Sequence, residues 1–446
     1  MAELLQIEEP TPPRLAPPTW QAFLELGFRP LYLLGCAWGI VGVALWVYAP
    51  QWIVGQMPGV IWHAHEMLWG FVVTVAAGFL LTGATNWTGL NPLHGPALGA
   101  ACGLWLLARI GFLLPGSTAF VLAAACELLF QITVTIAVAR VIYGRRSQRN
   151  YGVPVLMAGL VLTNALYLWA AWQGDYGLLM QRFNTGLLCM AVVALLIGRR
   201  VIPFFASRAV AGLSLPDHST TGQWQLGVGG LAVVFSLLHW TTPQAITLAI
   251  AGLLAVWQLV AWRPLAVRKV PLLWVLYAGY GGLAYGLLLA AVQLMGGVAR
   301  AAWPTHLIGV GGFAMLIIGM VTRTAMGHTG RPLKADRSMV TSYLLVLLAT
   351  VLRLAALSTL VPAAAVLPLL HASAAAWVCA FGLYLWRFVP WLIRPRADAR
   401  GGTPVSVIPG DPLAEEFNKG VHTVLYTATD SEGNVDTCSF AVTVQD

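Results

Sequence analysis

Apolar residues run through the chain in blocks of membrane-crossing length, divided by short connections that carry Pro, Gly or basic residues. A spanning helix needs about 20 mostly apolar residues. Windows of that length predict twelve helices, at 31–49, 61–85, 95–114, 117–143, 152–172, 180–198, 225–241, 243–262, 271–297, 303–326, 339–361 and 364–393. Only "TTP" divides the seventh from the eighth. The pattern changes at "RGGTPVSVIPGD". From there "HTVLYTATDSEGNVDTCSFAVTVQD" alternates with period two about a Ser-Glu-Gly-Asn turn, as a pair of strands does. The predicted fold class is all-α integral membrane, about twelve transmembrane helices, with a short β-hairpin-like C-terminal extension. The division is 1–28 N-terminal cytoplasmic segment, 29–396 transmembrane domain, and 397–446 linker and β-rich tail. Two strands alone are marginal, so the tail reads as an appended or gene-fusion extension with no part in the chemistry.

Composition agrees. The chain is 58% hydrophobic and 9% charged, where soluble domains run near 25% charged. The N-terminus "MAELLQIEEPTPPRLAPP" is acidic and proline-rich, without a basic region before an apolar core, so no cleavable signal peptide is expected. The net charge of +8 does not imply nucleic acid, because its distribution follows topology. Arg140, Arg145, Arg146 and Arg149 follow helix four. Arg199, Arg200 and Arg208 follow helix six; Arg263, Arg268 and Lys269 follow helix eight. Arg323, Arg331, Lys334 and Arg337 follow helix ten, and Arg387, Arg394, Arg396 and Arg400 follow helix twelve. Loops after odd-numbered helices are nearly bare. Lys and Arg gather on the cytoplasmic side, which predicts a multi-pass protein of a bacterial inner membrane with both termini cytoplasmic. Five cysteines sit singly in apolar runs and Cys438 lies in the tail. No CxxC or CxxCH occurs, which speaks against covalent haem or a thiolate cluster.

That topology gives each histidine a depth. His63 and His65 open helix two at the outer face, His306 opens helix ten, His371 lies about two turns into helix twelve, and His239 ends helix seven in a turn. His94 and His328 belong to the cytoplasmic face. His306 and His328 flank one span and lie about 33 Å apart at the helical rise, so they do not share a metal. Imidazole is the commonest ligand for copper, iron and zinc, and ionisable groups at membrane depth are functional by default. His63, His65, His306 and His371 are therefore the expected metal ligands, with His328 and His239 as weaker candidates. His63 and His65 are two apart, a turn of about 200°, and point to opposite sides of a helix. They suit one histidine for each of two centres, or one ligand and one residue behind it. His63 and Glu66, three apart, are expected to share a side. The plainer reading is an interfacial belt, which Trp62 beside His63 fits.

Arg109 and Arg353 lie deep in helices three and eleven, about 21 Å from the cytoplasmic end. An intramembrane arginine needs an anionic partner, and a haem propionate would supply one; the plainer reading is snorkelling. Glu127 lies mid-membrane in helix four with Gln131 one turn on. It is either a proton carrier or an acid kept neutral by burial.

Five blocks carry a family resemblance: "LGFRPLYLL", "WHAHEMLWGF", "GFLLTGATNWTG", "GRRVIPFF" and "THLIGVGGFAMLIIGMVTRTAMGHTGRPL". Over nearly all of residues 20–395 the chain resembles the NnrS family. The resemblance implies a polytopic inner-membrane protein that binds haem b and copper, handles nitric oxide, and is found with denitrification and nitrosative-stress genes. It matches His63, His65 and Glu66 to one block, His306 and His328 to another, and His371 to a last-helix histidine. The tail resembles the closing hairpin of HYR modules.

Two functions are carried forward. The first is an oxidoreductase that reduces two NO to N2O with two electrons and two protons. Its electrons come from a quinol or a periplasmic cytochrome or cupredoxin, and Glu66 and Glu127 are candidates for proton transfer. The second is a transporter or sensor of copper or of NO complexes, without turnover. Partners are nitric oxide and membrane lipid, with no nucleic acid. Reporter fusions at residues 147 and 334 are expected to read as cytoplasmic and at residue 55 as external; an external residue 147 would overturn the orientation.

Overall fold

The computed structural model of the protein describes residues 16–216, 219–297, 300, 302–397, 420–429 and 435–444. Expectations for residues 1–15 and for the linker at 398–419 lie outside them. After a single turn at Trp20–Phe23, the helices are α1 Phe28–Tyr48, α2 Val60–Thr88, α3 Gly95–Gly111 and α4 Ser117–Gly144. Next come α5 Gly152–Gln173, α6 Tyr176–Ala209, α7 Ser219–Leu237 and α8 Thr241–Ala261. The last four are α9 Pro271–Leu294, α10 Ala302–His328, α11 Arg337–Ala356 and α12 Ala363–Leu392. Among the described residues, ten of these helices are long and apolar enough to cross a membrane. The shorter α3 and the less apolar α7 are not among the ten. The protein is an all-α multi-pass membrane protein. Strands β1 Gly420–Thr429 and β2 Val435–Val444 pair antiparallel, Gly420 opposite Val444 and Thr429 opposite Val435.

Helix α6 is longer than its apolar window. It has 34 residues and carries Arg199, Arg200 and Pro203 within it. At about 1.5 Å per residue it reaches about 51 Å, well beyond a hydrocarbon core of about 30 Å. Its extra turns are held by polar contacts: the Arg200 guanidinium donates to Asn150 Oδ1 at 2.9 Å and to the Arg149 carbonyl at 2.6 Å. The first and last long helices also meet. α12 packs on α1, and buried Arg29 donates to the carbonyls of Leu392 at 3.2 Å and Arg394 at 2.6 Å. A cation thus satisfies carbonyls that the end of α12 leaves open.

Two helices change pitch. α2 is π-helical over Glu66–Val73 and α10 over Leu307–Ala314. Each wide segment begins directly after a histidine, His65 in one and His306 in the other. π-segments add a residue to a turn and cluster at functional sites. α9 packs against α10, over and just beyond the second π segment, through three glycines. A Cβ on Gly279 would lie 2.7 Å from Leu316 N and one on Gly286 2.6 Å from Ile308 Cγ1, while one on Gly282 would collide with the Gly311 carbonyl. Small residues of this kind let two backbones approach in a membrane bundle.

Gly282→Ala must therefore push the α9 and α10 backbones away from each other. Overpacking of this kind costs about 1–3 kcal/mol, so the detergent-solubilised variant is expected to unfold at a lower temperature. Gly103→Ala, with nothing within 4 Å of the added carbon, is expected to be neutral or slightly stabilising. Equal melting of both variants and the parent would contradict the close approach.

Candidate functional site

Because α2 starts at Val60, His63 and His65 lie on one helix and face different surroundings. His65 is fully buried and both ring nitrogens are engaged. Nδ1 is 2.9 Å from Glu66 Oε1, and Nε2 is 3.1 Å from Asn164 Oδ1. Its ring sits against Trp69, Phe112 and Tyr167. The sequence pairs Glu66 with His63; the structure pairs it with His65, because the wide π turn starts at Glu66 and turns its carboxylate toward the α3–α5 side.

Glu66 belongs to a buried network. Arg109 Nη1 donates to Glu66 Oε2 at 2.5 Å, and Nη2 pairs with Glu127 Oε2. Trp38 Nε1 donates to Glu66 Oε2 at 2.6 Å, and Gln131 Nε2 donates to Glu127 Oε1 at 3.2 Å. Arg109, Glu66 and His65 are 0% exposed and Glu127 is 1% exposed. A Cβ on Gly70 would collide with Arg109 Nη1, so a glycine is needed where the guanidinium passes. The network ties α1, α2, α3, α4 and α5 together. Two carboxylates against one guanidinium leave one negative charge. His65 closes the network, one ring nitrogen on Glu66 and the other on the Asn164 carboxamide. The anionic partners of Arg109 thus come from the protein itself, and Arg109 lines none of the cavities described below.

A cavity lies on the other side of α2. It measures about 380 Å³ and is lined by α1, α2, α6, α10, α11 and α12, within the range of about 300–1,000 Å³ for ligand sites. His63, His306 and Arg353 are the basic side chains in its wall, among apolar residues such as Met67, Phe71 and Trp377. His63 stacks on Trp46 at 5.5 Å and 16°, and its buried Nδ1 has no hydrogen-bond partner. His306 Nδ1 donates to the Ala302 carbonyl at 2.7 Å, which fixes the ring and leaves Nε2 free, as for a metal-bound imidazole. Gly309 also lines the cavity, and a Cβ there would meet nothing within 4 Å. A smaller apolar cavity of about 90 Å³ shares Val72 and Phe313 with it.

The remaining candidates lie apart. His371 packs on Tyr48, whose hydroxyl donates to the His371 carbonyl at 2.7 Å; it does not line the cavity. His328 sits against Phe28 at the far end of α10. His239 is in the turn between α7 and α8, with φ 61°, and lines a separate polar cavity. Among the described residues no three His, Cys, Asp or Glu side chains gather as a metal site. The four histidines predicted at one depth are therefore split: His63 with His306, His65 in the ion network, His371 against Tyr48. Depth along a helix is readable from sequence; which neighbour each ring faces is set by how the helices pack.

The family model described as NnrS protein matches residues 22–396. The chain belongs to the NnrS family. Membership links it to nitric-oxide-related membrane proteins. The HYR domain model matches residues 392–444, and no curated protein matches the chain. Sequence reading missed Arg29, Trp38 and Asn164 in this NnrS chain. A signal for the paired pitch changes was present: Trp62-x-x-His65 and Trp303-x-x-His306 have the same spacing.

Arg109→Met would leave two carboxylates buried without their cation. Removing one member of a buried pair costs about 3–5 kcal/mol, so the variant is expected to lose much of its monodisperse folded yield. Adding Glu66→Gln and Glu127→Gln should restore most of it, since the triple variant buries no unbalanced charge. A single variant as stable as the parent would show that the network is not a structural clamp.

Proposed function

We propose that this NnrS-family protein is a haem b protein of the bacterial inner membrane that acts on nitric oxide, reducing two NO to N2O and water with two electrons and two protons. The cavity shared by His63, His306 and Arg353 carries this reading. Its residues fit a haem: two imidazoles with a nitrogen to spare, a cation for a propionate, apolar walls, and open space at Gly309. His63 or His306 would hold iron, leaving an open position for the substrate, and Arg353 would hold a propionate. When bound, the haem supplies a redox-active iron that binds NO.

The chain's own residues then do three things. Ala302 fixes the His306 ring. Trp46 holds the His63 ring flat. Phe71 and Trp377, with the adjoining cavity at Val72 and Phe313, give an apolar gas an apolar lining. Neither Glu66 nor Glu127 lines the cavity, so we assign both a positioning role, locking α2 in place, rather than direct proton delivery.

A bare copper ion fits less well, since His65 is engaged at both nitrogens and no three-ligand group forms among the described residues. The same donor count favours, as second reading, reversible holding of NO by a sensor or carrier without turnover.

Purified protein with haem is expected to show a Soret band that the double variant His63→Ala/His306→Ala loses. Arg353→Leu should keep the band with a lower midpoint potential, because removing a cation beside the propionate favours ferric iron; Arg109→Leu should not shift the potential of whatever protein folds. N2O formed from NO anaerobically supports reductase activity, and stoichiometric NO binding without N2O supports the second reading. A full Soret band in His63→Ala/His306→Ala would overturn the assignment of the cavity.

A further inference from the structure

Beside the histidine cavity lies a second cavity of about 350 Å³, between α6, α7, α8, α9 and α10. Its wall is of another kind. Gln181, Asn184, Ser236, His239, Gln244 and Gln293 line it, and no Asp, Glu, Lys or Arg does. The two cavities have Met180, Asn184, Leu187 and Thr305 in common. At the other end, His239 and Thr241 are exposed in the α7–α8 turn.

Carboxamides at this depth need hydrogen-bond partners. Gln181 Nε2 donates to the Ser236 carbonyl at 2.7 Å, but its Oε1 is buried with no partner. Asn184 is exposed to the cavity space two turns into α6, and among the described residues it makes no hydrogen bond. Leaving the buried Gln181 oxygen unpaired is costly. Water satisfies both side chains, and the cavity has room for several molecules with more than the 2–4 polar partners each requires.

We propose that this cavity is a hydrated vestibule through which water and small uncharged polar solutes reach the histidine cavity, with Asn184 as the gate in the shared wall. An ion finds no fixed counter-charge there, and stripping its hydration is costly. The vestibule therefore discriminates by charge. It gives the histidine cavity a polar route distinct from the apolar neighbour at Val72 and Phe313. This deepens the proposed function by naming a path to the same cavity, yet its test needs no bound cofactor, so failure here is separable from failure of the haem assignment.

The test is alkylation of single introduced cysteines in the full-length protein. Iodoacetamide is small, polar and uncharged; iodoacetate is its anionic counterpart. Gln181→Cys and Asn184→Cys are expected to react with iodoacetamide far faster than Leu253→Cys on the exposed apolar face of α8. Iodoacetate should lag at both sites relative to Thr241→Cys at the mouth. Ser373→Cys, in the histidine cavity, should also react with iodoacetamide. Adding Asn184→Leu should slow it by about tenfold, the effect of raising a barrier by about 1.4 kcal/mol. Buried Cys36 and Cys189 report any unfolding, so a variant in which they react is replaced by Asn184→Val. Gln181→Cys and Asn184→Cys no more reactive than Leu253→Cys would overturn the hydrated vestibule. Ser373→Cys labelling unchanged by a folded Asn184 variant would overturn the gate.

Discussion

Arg109 holds two carboxylates from two other helices inside a bundle that offers them no water. A guanidinium can do this because its planar fork presents donors in two directions at once. Glu66 on α2 and Glu127 on α4 take one arm each, and the indole of Trp38 on α1 closes on the same Glu66 oxygen. Each of these groups alone would be expensive in hydrocarbon. Together with His65 they form one hydrogen-bonded unit, and the unit persists only if all five helices keep their positions. Gly70 belongs to it as much as the charged residues do, since any side chain there would occupy the place of the guanidinium. The result is that α2 is fixed in rotation as well as position.

That rotation decides what His63 does. With Glu66 and His65 turned toward α3, α4 and α5, the preceding turn presents His63 to the opposite side, where α6, α10, α11 and α12 leave a cavity. α10 approaches the same cavity by a parallel device: a short α-helical turn ending in His306, then a π segment. The glycines of α9 allow that widened segment to sit close against its neighbour. One histidine from each widened helix thus reaches the same space. The two helices differ in what lies behind them, a charged clamp for α2 and a glycine seam for α10.

Much of this was legible in the sequence at the level of segments. Every apolar window holds a helix among the described residues, because hydropathy over about 20 residues reports a one-dimensional constraint. The divergence of His63 from His65 was legible too, since two residues on a helix turn by about 200°. What could not be read is where a helix changes pitch. A π segment shifts every following side chain around the axis, so the rule that places Glu66 beside His63 fails at the residue where the wide turn begins. Arg109 was correctly marked as needing an anion, but a sequence does not say that Glu66 and Glu127, 43 and 18 residues away, will supply it. The four-histidine cluster failed for a related reason. Equal depth puts groups in one layer of a bundle, and a layer is wide enough to hold several unconnected sites.

The allocation of acids has a consequence for the cavity. Glu66 and Glu127 are committed to Arg109, and among the described residues no carboxylate lies within ion-pair distance of Arg353. The histidine cavity therefore has a cation in its wall and no acid to balance it. A guanidinium beside an apolar space attracts whatever anion can enter, and an uncharged occupant would leave it uncompensated. A molecule with a flat apolar body and anionic groups at its edge meets both demands, apolar walls for the body and Arg353 for the edge. Nitric oxide alone suits the apolar walls but brings no charge for Arg353. The clamp on one side of α2 and the unbalanced arginine on the other thus belong to one arrangement: the acids retained by the first are those that the second lacks, and this favours an occupant that brings its own negative charge.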